Sequence, residues 1–148
     1  MSVDIGTVLD ALVSLLVDDA SLYGVNVYSG IVTADEAGLE CIAFGNGTLA
    51  QIDFSIGTDA QCEETWTIGG EVYVAPHSWE GTIEETISAS RERALTVLKA
   101  LKDCIRDNYL SAYPSIRLTS AELEGTIGPD GRMYRIPFEL TIELLTDS

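Results

Sequence analysis

Apolar residues recur first at helical spacing. Ile5, Val8, Leu9, Leu12, Leu15 and Leu16 return every three or four positions, which gathers them on one face of an α-helix. Ser2 is placed to cap that helix, and Asp4 to sit in its first turn, where the macrodipole favours negative charge. Asp18 and Asp19 stand at the far end, where negative charge is disfavoured. They either terminate the helix or meet a positive group from a neighbour.

The period then shortens to two. Val25–Val32 has the β-branched and aromatic content of a strand. Leu39–Phe44 and Leu49–Ser55 flank Gly45-Asn46-Gly47, and Asn-Gly between alternating runs predicts a hairpin. Glu63–Ile68 and Glu71–Val74 flank Gly69-Gly70, which predicts a second. Trp66, Ile68, Val72 and Val74 fall on one side of that pair and polar residues with Tyr73 on the other, as in a half-buried antiparallel sheet.

Pro76–Gly81 reads as a loop. Thr82 and Glu85 make a capping box that opens a long helix through Asn108. Ile83, Ile87, Ala94, Val97, Leu98, Leu101 and Ile105 lie within an arc of roughly 100°, the core side of that helix. Pro114 marks the loop beyond it. Ile116–Ile127 and Arg132–Leu145 then read as two long strands joined by Gly128-Pro-Asp-Gly131, with Pro and Gly where a type I turn favours them. Phe138, Leu140, Ile142 and Leu144 alternate with Glu139, Thr141 and Glu143. The fold class is therefore α+β: residues 1–148 as a single domain, a mainly antiparallel β-sheet with an N-terminal helix, a long second helix and a closing β-hairpin.

Charge divides this chain unevenly. No lysine or arginine precedes Arg91, while fifteen acids lie between Asp4 and Glu85. The remaining residues hold all eight basic side chains against nine acids, so the net charge of −16 splits into −15 and −1. A surface this negative repels nucleic acid and anionic membrane, because phosphates are bound by lysine and arginine. Specific DNA binding and membrane binding are excluded; basic partners and assembly surfaces are favoured. The longest apolar stretch, around Leu9–Val17, is too short and too polar to span a bilayer, and no secretory signal is evident, so the chain reads as cytosolic.

Catalytic chemistry finds little to work with. Cys41, Cys62 and Cys104 lie far apart without metal-ligand spacing and read as reduced structural thiols. The single histidine, His77, has no orienting signature nearby for a nucleophilic site. Acidic doublets at 18–19, 35–36, 63–64 and 84–85 lack the spacing of a calcium loop, and adjacent strand residues such as Glu63 and Glu64 point to opposite faces. Gly45-x-Gly47 lacks the third glycine and following helix of a phosphate loop. No enzyme, metal site or cofactor is expected.

One surface carries information. Arg91, Lys99, Lys102 and Arg106 fall within about 80° on the long helix, with Leu95 in the middle of the arc. Glu85, Glu92, Asp103 and Asp107 form a stripe beside it. The face is either solvated charge or a docking surface whose natural partner is the acidic half of an identical subunit. Contacts between unlike patches close into rings.

Three groups of residues carry a resemblance. They are the N-terminal helix running into a strand (Val8–Asp19, then Val25-Asn-Val-Tyr28), the long second helix, and the closing hairpin from Gly131-Arg-Met-Tyr-Arg-Ile-Pro-Phe to Ile142. Over most of its length the chain resembles the tail-terminator, or tail-completion, proteins of long-tailed phages and archaeal tailed viruses. The resemblance is one of element lengths and hydrophobicity. It implies a virion protein, assembled in the host cytoplasm, that forms a homo-hexameric ring. Such a ring caps the tail tube and joins it to the neck, in contact with the tail-tube protein and a neck or stopper protein. DNA passes through the lumen without specific binding, and a negative wall suits that passage. Asp35, Glu36, Asp59, Glu63 and Glu64 are then candidates for the wall; Arg91, Leu95, Lys99, Lys102 and Arg106, with Asp18 and Asp19, are candidates for subunit contacts.

Three other readings stand beside it. A tail-tube or other neck component shares this style of fold, although residues 33–38 and 56–62 are short for a loop linking stacked rings. A DNA-mimic inhibitor would explain the acids but not the basic stripe. A small-ligand or metal-binding module would need a cavity with convergent polar groups. Acidity with only two lysines also resembles proteins of salt-rich habitats.

Overall fold

The computed structural model describes residues 4–33, 37–54, 61–75, 82–111, 113–128 and 131–147. Two helices, α1 (Ile5–Val17) and α2 (Ile83–Tyr109), lie with the six-stranded sheet formed by β1 (Asn26–Tyr28), β2 (Glu40–Phe54), β3 (Gln61–Val74), β4 (Ser115–Ala121), β5 (Glu124–Gly128) and β6 (Gly131–Asp147). The sheet runs β1-β2-β3-β6-β4, with β5 pairing β6 beyond β4. Among the described residues, every pairing is antiparallel except β1 with β2, which is parallel. The α+β class holds.

Local chemistry accounts for the helices. Asp4, not Ser2, caps α1: its carboxylate accepts from the Thr7 N–H at 2.8 Å, which also holds its pKa below the ordinary carboxylate value. Asp18 closes the helix as its C-cap. Thr82 caps α2, accepting from the Glu85 N–H at 3.2 Å, so half of the expected capping box is in place. The core stripe of α2 begins later than the periodicity implies: Ile83 is exposed, and burial is complete only at Ala94, Val97, Leu101 and Ile105.

Both expected glycine turns are absent. Gly45–Gly47 lies inside β2 and Gly69-Gly70 inside β3, and each strand runs straight through. The two glycine stretches sit opposite one another, with Phe44 paired to Gly70, Gly47 to Ile68, and a bulge between. The missing side chain at Gly70 has a use. Phe44 on β2 and Phe138 on β6 meet over it edge to face, centroids 5.8 Å apart. A Cβ there would stand 2.4 Å from the Phe138 ring. These glycines make room rather than reverse the chain.

Proline explains a second difference. The single strand expected over 116–127 is broken between Ala121 and Glu124. The break faces Pro137: the Glu122 N–H donates to the Pro137 carbonyl at 3.0 Å, and proline has no N–H to return. The expected strand at 25–32 shortens to Asn26–Tyr28. Residues 129 and 130 of the expected type I turn, and the 76–81 loop, lie outside the described residues.

One face of the sheet makes the core. Ile42, Phe44, Ile68, Val72, Leu140 and Ile142 join Val8, Leu12 and Leu16 of α1 and the buried stripe of α2 in one cluster. Each such side chain contributes on the order of 1.5–3 kcal/mol through burial. Glu40, buried on this same side, is satisfied by the Arg93 guanidinium of α2 through two hydrogen bonds.

Candidate functional site

Burying the apolar stripe of α2 forces its basic stripe outward. Lys99, Lys102 and Arg106 are exposed, and Leu95 remains 44% exposed among them. Because α2 lies over β4, the edge strand, these residues border a groove of about 720 Å³ between the helix and the strand. Its floor is Leu95, Leu98, Leu110 and Leu118; its cations are Lys99, Lys102, Arg106 and Arg117. Arg91 is half-buried and does not line the groove.

Arg117 and Leu118 escape a helix-based reading because β4 brings them there, whereas Leu110, the C-cap of α2, continues the helix's own stripe one turn past Arg106. Arg117 follows Pro114 in sequence, and nothing local marks it as a neighbour of Lys102.

Within the chain these cations are partly paired. Lys99 bonds Asp103 at 2.7 Å, and Arg106 reaches Asp103 at 3.2 Å and Asp107 at 3.1 Å. The Lys99 hydrogen bond is the main reason the Asp103 carboxyl lies below the ordinary carboxylate pKa. Arg117 bonds Glu143 at 3.0 Å. All four pairs are wet, so water and salt screen them and a partner's carboxylate can replace the internal one at small cost. Lys102 makes no salt bridge among the described residues.

Asp18 and Asp19 lie elsewhere. They border a separate shallow cleft with Arg106, Asp107 and Asn108 of their own chain. Asp19 caps the turn at Ala20–Leu22, accepting from the Ser21 N–H at 2.8 Å. Both therefore have a local task at the end of α1.

The other face of the sheet is a second charged surface. Along β3 and β6, Glu63, Thr65, Thr67 and Glu71 alternate with the core residues, as do Glu139, Thr141 and Glu143. Arg135 clasps Glu71 with two bonds of 2.6 and 2.7 Å, and Tyr113 donates to Glu63 at 2.9 Å. That bond holds the Tyr113 pKa above the ordinary phenol value. Glu64 faces the helix side instead, where it accepts from the Trp66 indole at 3.0 Å and from Thr146 at 3.5 Å. Asp35, Glu36 and Asp59 lie outside the described residues, as does His77.

This architecture occurs in a virion. A chain in a solved structure, described as the virion of a native gene transfer agent (GTA) particle, matches with a TM-score of 0.52 and 18% sequence identity. The match covers 95% of this chain and 96% of that one, so the two share a fold from end to end. No family model and no curated protein matches the chain.

What the two surfaces can do follows from their groups. The groove offers cations around an apolar floor, which suits an acidic, partly apolar protein surface. The sheet face offers carboxylates and hydroxyls. Among the described residues, no three His, Cys, Asp or Glu side chains converge on a metal position, and no helix is long and apolar enough to cross a membrane. All three cysteines are free and buried.

Proposed function

We propose that the chain is a structural virion protein that assembles with copies of itself into a ring of about six subunits, in which unlike patches meet. The ring caps the tail tube and joins it to the neck, as the resemblance to tail-terminator proteins implies. The observation that carries this reading is the fold shared along nearly the whole chain with a virion chain. The charge distribution supports it independently. All cations lie at or after Arg91, and four of them border one groove, while the first ninety residues carry fifteen acids and no cation.

The outer sheet face supplies the lumen wall in this reading. Glu63 and Glu139 would repel phosphate and let DNA slide without binding, while Glu71 and Glu143 are held by Arg135 and Arg117 on the same face. Glu64, turned to the helix side, leaves the wall set; Glu63 stays in it. The DNA-mimic alternative gains nothing from the structure, since a mimic has no use for a cationic groove.

Light scattering on the purified chain tests the ring at low and high salt. A discrete species of about six subunits is the expected result. A monomer at every concentration and salt overturns it.

A further inference from the structure

Asn46-Gly47 has the composition of a turn but lies inside β2, at a place where the ladder to β3 is interrupted. Phe44 pairs with Gly70, and the next pair is Gly47 with Ile68. Gly45 and Asn46 therefore bulge opposite Gly69, and Asn46 is exposed. No hydrogen bond holds its side-chain amide among the described residues. The chain's other two asparagines differ on both counts. Asn26 precedes the β-branched Val27 and donates to the Ala37 carbonyl at 3.1 Å. Asn108 precedes the bulky Tyr109 and donates to the Cys104 carbonyl at 2.8 Å.

We infer that Asn46 is a site of spontaneous deamidation in the folded chain, converting to aspartate and isoaspartate through a cyclic imide with Gly47. The Gly47 backbone nitrogen attacks the carbonyl carbon of the Asn46 side chain. A carbon–nitrogen bond forms, and the side-chain nitrogen takes the Gly47 N–H proton and leaves as ammonia. Water then opens the imide at either carbonyl, returning a proton to the nitrogen, so no oxidant or enzyme is needed. Gly47 has no side chain to shield its nitrogen, and a bulge flanked by Gly45, Gly69 and Gly70 is where this ladder opens most easily. Each event adds a negative charge beside the cavity that Asn46 lines with Glu71 and Arg135. The isoaspartate form also inserts a methylene into the main chain of β2. This goes beyond the ring reading and does not depend on it.

The test incubates the folded full-length chain at mildly alkaline pH in oxygen-labelled water and maps its peptides by mass spectrometry. The expected result is two labelled products from the Asn46 peptide, aspartate and isoaspartate, formed at least about tenfold faster than any product at Asn26 or Asn108. Asn46→Gln, at an exposed position, keeps the melting temperature and shows neither product. Conversion of Asn46 only after unfolding in urea overturns the inference, because β2 would then hold the pair closed. Comparable rates at all three asparagines also overturn it. Aspartate without isoaspartate overturns the imide route.

Discussion

Strands β3 and β6 present two faces built from neighbouring residues, and the faces obey different rules. Toward the helices stand Ile68, Val72, Leu140 and Ile142, all at 2% exposure or less. Toward the other side stand Thr67, Glu71, Thr141 and Glu143, none of them buried. Stability resides on the first face, where removing a methylene leaves a void in a close-packed interior. The second face is free to vary in chemistry, because water fills whatever a substitution leaves. A chain that must be robust and also carry a particular surface charge can thus settle both along the same strand.

Adjacent residues of β6 test the contrast most directly. Leu140→Ala removes a fully buried side chain from between the helices and the sheet and should cost about 2–5 kcal/mol, read as the midpoint shift in urea unfolding. Thr141→Ala, one residue along on the other face, should stay within about 0.5–1 kcal/mol. Equal costs would mean that the outer face is packed against something in the free subunit, and the two-face description would fail.

The glycine pair sharpens the comparison at finer scale. At Gly70 a Cβ meets the Phe138 ring at 2.4 Å and the Ala43 carbonyl oxygen at 2.9 Å, whereas at Gly69 it meets only the Asn46 carbonyl oxygen at 3.8 Å. Gly70→Ala should therefore destabilise by about 1–3 kcal/mol through overpacking, and Gly69→Ala by much less. If Gly69→Ala were the worse of the two, a turn-like backbone demand would have to be sought there. Thermal melts of the two variants decide it.

That pair also shows why parts of the fold were legible in the sequence and others were not. Periodicity marked both helices and the alternation of β6, because burial on one side writes a period of 3.6 or 2 into the chain. Glycines write an ambiguous sign. Gly69-Gly70 has the composition of a two-residue turn, and only the arrival of Phe44 and Phe138 from separate strands reveals a mid-strand gap filled by aromatics. Pro137 was a readable sign that the ladder beside it must break, but which strand it would face depended on pairing across the sheet. The groove was half legible: Leu95, Lys99, Lys102 and Arg106 share a helix face by arithmetic, with Leu110 one turn further on at the helix's C-cap, while Arg117 and Leu118 join them only through tertiary packing. Asp18 and Asp19 could not be assigned from spacing, since capping and intermolecular pairing use the same residue types.

One corner of the outer face departs from its rule, and titration exposes it. Cys41 points away from the core, yet it is only 2% exposed and lines a pocket with Ile31, Val32, Thr33 and Ala37. Asn26 donates to the carbonyl of that Ala37 at 3.1 Å. Burial, with Glu71 nearby, raises the Cys41 thiol from 9.0 to about 11. The folded chain therefore keeps its proton where the unfolded chain has lost it. Stability from this group is complete below pH 9.0 and drains away as pH rises toward 11, by at most about 2–3 kcal/mol. Cys104, raised in the same direction by burial, adds to the same decline. Cys41→Ala should thus cost roughly 1 kcal/mol at pH 7 and flatten, without abolishing, the loss of melting temperature between pH 9 and 11. A slope identical to that of the unaltered chain would mean that the thiol is in contact with water, and this corner would then follow the rule of the face it sits on.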